Sequence, residues 1–316
     1  MKNIRYISAQ PAIDYYTWQV EVMIHSFMRH GVNPNYIDIV CSIKDGIIPD
    51  NWLALAKNYN MVRFFFYNDT RKNPVYVSSI RPHILKKHFE KHPYLQDEAI
   101  FYHDCDIMFT NPPTWNHLKD DDVWYLSDCK HYIGADYIQG KKFGIYERMC
   151  EIVGIDESIP IKNEASSGGA QYFMKNIDAT FWEKVETDSE KLYQFFLDHL
   201  KAFPEGCLKG YHPIQKWTAD MWAVLWNGWY FKHETKIIPE MDFTWPLHGM
   251  DVWPKNVIYH NAGVTVNHRD INKMFFKCDY MNKLPYDIKQ EDFTTEFCTY
   301  KYVEEIVATS KITCLL

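Results

Sequence analysis

The stretch EAIFYHDCDIMF, Glu98 to Phe109, carries two aspartates one residue apart behind an apolar run. Removing two carboxylates from water is costly unless something pairs with them. Asp104 and Asp106 are at i and i+2, which on a strand aims both side chains to one side. Two carboxylates at the end of a buried strand suit a hard divalent cation. Such a cation keeps waters and takes phosphate oxygens as its remaining ligands, and it acts as a Lewis acid on a departing diphosphate.

A cation held by two carboxylates needs further ligands. His260, in NVIYHNAG, ends a late strand just before Asn261 and Gly263, and is the candidate third ligand. With 14 histidines in the chain, a satisfied core histidine is the plain alternative. His268 is a rival to His260. His103 should point away from the aspartates and be structural. A second aspartate pair with the same spacing, Asp120 and Asp122 in LKDDDVW, lies between a proline-rich turn and a strand. That context predicts a solvated loop, because motif spacing alone is nonspecific.

The elements that must position these groups alternate. IRYISA, YIDIVCSI, MVRFFFYND and EAIFYHDCDIMF read as four strands. Between them, YYTWQVEVMIHSFMRHG, PDNWLALAKNYN and SSIRPHILKKHFEKH read as helices, closed or opened by Gly31, Pro49–Asp50 and Ser78–Ser79. Strand–helix alternation predicts a parallel, doubly wound sheet, whose ligands bind at the carboxyl ends of the strands. Further on, VWYLSD, TKIIPE and NVIYH read as strands, and EASSGGAQYFMKN as a glycine turn running into a short strand. KKFGIYERMCEIVG, DATFWEKVETDSEKLYQFFLDHL and WTADMWAVLW read as helices. The expected organisation is one domain, 1–316. It comprises a nucleotide-binding half (1–110), a second, more mixed part (111–265) and a tail (266–316) whose aromatic residues pack back on the body.

Composition narrows the class. The chain has 316 residues, 47% hydrophobic and 16% aromatic, enough for a large core and against disorder. A net charge of −7 argues against nucleic acid as partner. The eight cysteines, from Cys41 to Cys314, form no C-x-x-C pair, so a zinc site of that kind is unsupported and a reduced, intracellular setting is expected. The opening MKNIRYISAQP shows no signal peptide. The longest apolar run, MWAVLWNGWYF, is broken by Asn227 and Gly228 and falls short of the roughly 20 residues a bilayer needs.

The strand ending in D-x-D after a Rossmann-like half, then GGAQYFM, then YHNAG, resembles a GT-A-type glycosyltransferase over residues 1–265. The start, SAQPAIDYYTWQVEVMIHSFMRHG, is similar to the first strand–helix unit of plant and algal hydroxyproline arabinosyltransferases and peptidyl-serine galactosyltransferases. It also resembles glycosyltransferases of large algal viruses. The Golgi members carry an N-terminal membrane anchor, a point of departure here, so a cytoplasmic enzyme is expected, in the host cytoplasm if virus-encoded.

The resemblance implies an α/β fold of GT-A type, with a Rossmann-like mixed central sheet flanked by helices. It implies transfer of a sugar from a nucleotide-sugar, usually UDP-linked, to a glycan or glycoprotein acceptor, with Mn²⁺ or Mg²⁺ on the diphosphate. By position, Gln10, Pro11, Ala12 and Asp14 should meet the nucleoside; a plain turn is the alternative. Arg81 could reach the diphosphate or sugar, since guanidinium suits phosphate, or be an ordinary surface arginine. Asp69 could touch the base or ribose. Gly168 and Gly169 permit close backbone approach or positive φ and could cradle donor or acceptor, with Gln171 entering the pocket; a tight turn is equally consistent. Asp220, between Trp217 and Trp222, is the candidate catalytic carboxylate. In an inverting transfer it would take the acceptor proton; otherwise it serves its helix N-terminus. Trp245, His248 and Trp253 could wall the acceptor site or belong to the core. A metal-dependent phosphoester hydrolase and a non-catalytic nucleotide-sugar-binding module are the alternatives. The sugar, the acceptor and the stereochemical outcome stay open.

Overall fold

The computed structural model describes residues 2–313; Cys314 lies outside them. The fold is α/β, with a mixed sheet architecture flanked by helices. The strands are β1 (Ile4–Pro11), β2 (Ile37–Ile43), β3 (Arg63–Asn68), β4 (Ala99–His103), β5 (Ile107–Phe109), β6 (Trp124–Asp128), β7 (Gly168–Lys175), β8 (Thr235–Ile237), β9 (Phe243–Thr244) and β10 (Ile258–His260). Two compact units, each discontinuous in sequence, divide them: Met1–Ile4, Asn68–Tyr102 and Leu118–Ile238 in one, and Arg5–Tyr67, His103–His117 and Pro239–Leu316 in the other. Among the described residues no helix is long and apolar enough to cross a membrane.

The unit that begins at Arg5 holds strands in the order β3-β2-β1, with β1 and β2 parallel. Helix α1 (Asp14–Arg29) joins β1 to β2, and α2 (Asp50–Asn58) joins β2 to β3, as the alternation predicts. Trp18, Val22 and Phe27 are fully buried on α1, and Gly31 takes the left-handed conformation (φ 84°) that ends it. A second, three-stranded sheet runs β5-β10-β9, with β10 antiparallel to β5 and parallel to β9. Ser26 of α1 pins β5 by accepting a 3.0 Å hydrogen bond from the Phe109 amide. One core unites Trp18, Val22, Met108, Tyr259, Phe275, Cys298, Tyr302, Val303 and Ile306. Each fully buried large side chain there contributes about 2–3 kcal/mol of apolar burial.

The other unit runs β4-β7-β6-β8. Strand β7 is antiparallel to both β4 and β6, and β6 is parallel to β8. Its longer helices include α3 (Ile80–Lys91), Ala179–Ala202 and Ala219–Tyr230. The long helix opens on Asp178, which accepts from the Phe181 amide at 3.0 Å, and buries Phe181, Trp182, Val185, Leu192 and Phe196.

Two sequence expectations change here. EAIFYHDCDIMF is not one strand: β4 stops at His103, Asp104 to Asp106 form a turn, and β5 starts at Ile107. Gly168 and Gly169 are not a turn before a strand but the first residues of β7.

Candidate metal centre

The turn does what strand alternation was expected to do. Asp104, Asp106 and His260 each offer one ligand atom, and the three atoms lie within 4.8 Å of one another. His260 Nε2 stands 3.6 Å from Asp104 Oδ2 and 3.3 Å from Asp106 Oδ1. The antiparallel register of β5 and β10 sets Ile107 opposite His260. Beyond it, the Asn261 amide donates to the Asp106 carbonyl at 2.9 Å, fixing the two ligand-bearing loops to each other. The Trp245 ring stacks on the imidazole at 5.9 Å and 12°, so the plane of His260 is set by packing.

The electrostatics follow from burial and pairing. Desolvation works against ionising Asp106, but the Lys277 ammonium, and after it His260, outweigh that and hold the carboxyl well below the usual carboxylate range. Burial likewise opposes the charge on Lys277, and Asp106 prevails and raises its pKa. Lys277 Nζ donates to Asp106 Oδ2. Burial also raises Tyr15, which lies close enough to feel both Lys277 and Asp106. His103 is buried with its Nδ1–H donating to the Asp104 carbonyl at 2.8 Å, and burial pulls its pKa down to about 4.

This donor set fits a divalent cation. Two carboxylate oxygens and one imidazole nitrogen converge from a turn and a strand end, and Asp104 keeps 33% of its side chain exposed, leaving an open side for waters or a ligand oxygen. Among the described residues this is the one group of three such donors brought together. His268 instead accepts from the Thr265 amide at 3.1 Å, closing a capping box on the helix Val266–Asn272.

The remaining candidates fall into two sets. Gln10, Ala12 and Asp14 sit where β1 runs into α1, in the same unit as the triad. Gln10 is 2% exposed; its amide donates to Val40 O at 3.4 Å, while its Oε1 is buried without a partner. The Ala12 amide donates to Ser42 O at 2.8 Å. Asp14 accepts from Asn51 at 2.9 Å.

Asp69, Arg81, Gly168, Gly169, Gln171 and Asp220 belong to the other unit, and each has a partner there. Asp69 is clasped by Arg71 through both oxygens at 2.9–3.0 Å. Arg81 pairs with Asp220 at 3.0 Å, and Tyr76 donates to Asp220 at 2.7 Å. A Cβ on Gly168 would meet Leu126 Cβ at 2.5 Å and Ser127 O at 2.6 Å; on Gly169 it would meet Met221 Cε at 2.8 Å and the Tyr172 hydroxyl at 2.9 Å. Both glycines therefore allow close approach, as anticipated, but to neighbouring protein atoms. The positive φ falls on Ala170 (61°), where β6 and β7 shift register. Gln171 is fully buried and accepts from Ser127 at 2.8 Å.

Sequence reasoning missed Lys277, which sits in a turn-rich tail and is 171 residues from Asp106. Trp245, a candidate wall of the acceptor site or core residue by sequence, is the packing partner of His260, a role its sequence neighbours do not signal.

No protein-family profile and no curated protein matches the chain. Solved structures do. The apo bifunctional glycosyltransferase WbbM matches with a TM-score of 0.48 at 12% identity, over 99% of this chain and 51% of that one, so this chain spans about half its length. The galactosyltransferase LgtC, in complex with donor and acceptor sugar analogues, matches with a TM-score of 0.41 at 11% identity, over 96% and 95% of the two chains. The mannosyltransferase PcManGT from Pyrobaculum calidifontis, with GDP-Man and Mn²⁺, matches with a TM-score of 0.31 at 12% identity, over 71% of each chain. Likeness at this level carries no inference about chemistry.

Proposed function

We propose that this protein is a metal-dependent glycosyltransferase that moves a sugar from a nucleotide-sugar, UDP-linked in our reading, to a hydroxyl of a glycan or protein-linked acceptor. The observation that carries the proposal is the convergence of Asp104, Asp106 and His260 on one point, in a unit built on a parallel strand–helix–strand. A Mn²⁺ or Mg²⁺ ion bound there would supply Lewis-acid stabilisation to the leaving diphosphate. The chain's own residues prepare that site: Lys277 keeps Asp106 ionised, Trp245 fixes the imidazole plane, and the Asn261 amide holds the two ligand loops together.

The nucleoside is assigned to the end of β1. Gln10 Oε1, in the interior at that strand end, is an acceptor without a donor, a cost of about 1–3 kcal/mol. Asp220 is proposed as the catalytic carboxylate. Arg81 and Tyr76 keep it oriented, each on a different oxygen.

Calorimetric titration with UDP and with GDP, each with and without Mn²⁺, tests the proposal. The expected result is nucleotide binding that depends on Mn²⁺ and disappears in Asp104→Ala with the fold intact. Nucleotide binding indifferent to metal would overturn it. Screening nucleotide-sugars for hydrolysis, then determining the product anomer, would identify the donor and the stereochemical course.

A further inference from the structure

The two carboxylates of the triad are not equivalent. Asp106 divides its oxygens: Oδ1 faces His260 Nε2 at 3.3 Å, and Oδ2 accepts from Lys277 Nζ. Asp106 has only 8% of its side chain exposed, whereas Asp104 has 33%.

Lys277 is not a wandering surface lysine. It stands two residues after Phe275, which is fully buried in the core of its unit. It opens the short turn Lys277–Tyr280, whose Tyr280 ring stacks on Phe275 at 5.3 Å and 12°. The Tyr280 carbonyl accepts from the Trp18 indole at 3.3 Å, and Asp279 pairs with Arg269 at 2.6 Å. The backbone that launches the lysine is thus fastened on both sides, and 27% of its side chain is exposed.

We infer that Lys277 sets the cation selectivity of the site, by holding Asp106 Oδ2 and so confining Asp106 to one ligand oxygen. The inference rests on the metal reading above. Ca²⁺ draws on six to eight oxygens and commonly takes a carboxylate through both of them, whereas Mg²⁺ is satisfied by near-octahedral, one-oxygen contacts. Mn²⁺ also takes the octahedral oxygen geometry. A carboxylate with one oxygen already held suits the smaller, six-coordinate ions and starves Ca²⁺. The ammonium also cancels one negative charge beside the donors, which weakens every divalent cation alike. The ratio of affinities therefore reports the geometric effect, and their absolute values report the charge.

The test uses the full chain, with Mn²⁺ binding followed by electron paramagnetic resonance and Ca²⁺ by competition. Wild type should prefer Mn²⁺ over Ca²⁺ by about 100-fold, and Lys277→Met should shrink that preference about tenfold while tightening both ions. Lys277→Gln keeps a donor on Oδ2 without the charge, so it should tighten both ions yet retain the wild-type ratio. Circular dichroism checks that each variant is folded. An unchanged ratio in Lys277→Met overturns the inference while leaving the metal site standing. So does a wild type that binds Ca²⁺ as tightly as Mn²⁺, a result that needs no variant. If neither wild type nor variant binds any divalent cation, the metal reading falls and this inference with it.

Discussion

Asp104-Cys105-Asp106 and Asp120-Asp121-Asp122 present the same spacing of carboxylates and opposite fates. In the first, the outer aspartates face inward on His260, and the buried one is matched by Lys277. In the second, the outer pair is exposed: Asp122, 87% exposed, reaches only surface partners, Asn176 at 2.7 Å and Lys2 at 3.8 Å. The middle aspartate does the structural work there. Asp121 pairs at 2.5 Å with Lys175, whose side chain is wholly buried, and accepts from the Tyr125 hydroxyl at 2.5 Å. All three aspartates are exposed, as expected of a solvated loop, and Asp121 uses its place there to hold a buried lysine. Spacing decides neither case. What faces each carboxylate decides both.

The largest effect should come from the first cluster. Asp104→Ala should lower metal-dependent nucleotide-sugar turnover by about a thousandfold, the loss of several kcal/mol of Lewis-acid stabilisation, with the circular dichroism spectrum unchanged. Full activity in that variant would remove the distinction between the two clusters. Asp121→Ala should leave Mn²⁺ affinity alone but take the counter-charge from Lys175, which keeps its hydrogen bond to the Leu118 carbonyl. Fully buried pairs cost 3–5 kcal/mol to break, and the 43% exposure of the Asp121 side chain reduces that to about 2 kcal/mol, read from urea unfolding. Trp245→Leu should weaken Mn²⁺ about tenfold by freeing the imidazole plane, with little change in unfolding midpoint. Asp122→Ala should change neither metal binding nor stability beyond about 0.5 kcal/mol; a larger loss of Mn²⁺ binding would mean that the wrong cluster had been chosen.

The sequence made the local logic visible. Alternating apolar runs and helix punctuation placed β1, α1, β2, α2, β3 and α3 correctly, because each is specified by its own periodicity. The run Ile107-Met108-Phe109 hid the break at Asp104: apolar residues resume at once, so one strand and two strands look alike. Strand β9 has only two residues, too few for a period. The pairing of β7 with β4 and β6, and the need for glycine at 168 and 169, depend on which segments meet across the fold. Lys277 was invisible for the same reason: nothing in its neighbours encodes a partner 171 residues away. His260 was legible because a histidine at a strand end before a glycine turn is a local feature.

The unit carrying the candidate metal centre is assembled from three stretches of chain, with Leu118–Ile238 belonging to the other unit. On the ribosome, β1, β2 and Asp104 emerge early, yet the strand that carries His260 and the helix that carries Tyr302 emerge near the end. Contacts of such long range are slow to form because the loop must close first. The other unit, complete once Ile238 has emerged, can be expected to fold first. Until the tail arrives, the apolar face of α1 that carries Trp18 and Val22 waits without its partners, which makes that interval the time when the nascent chain most needs a chaperone.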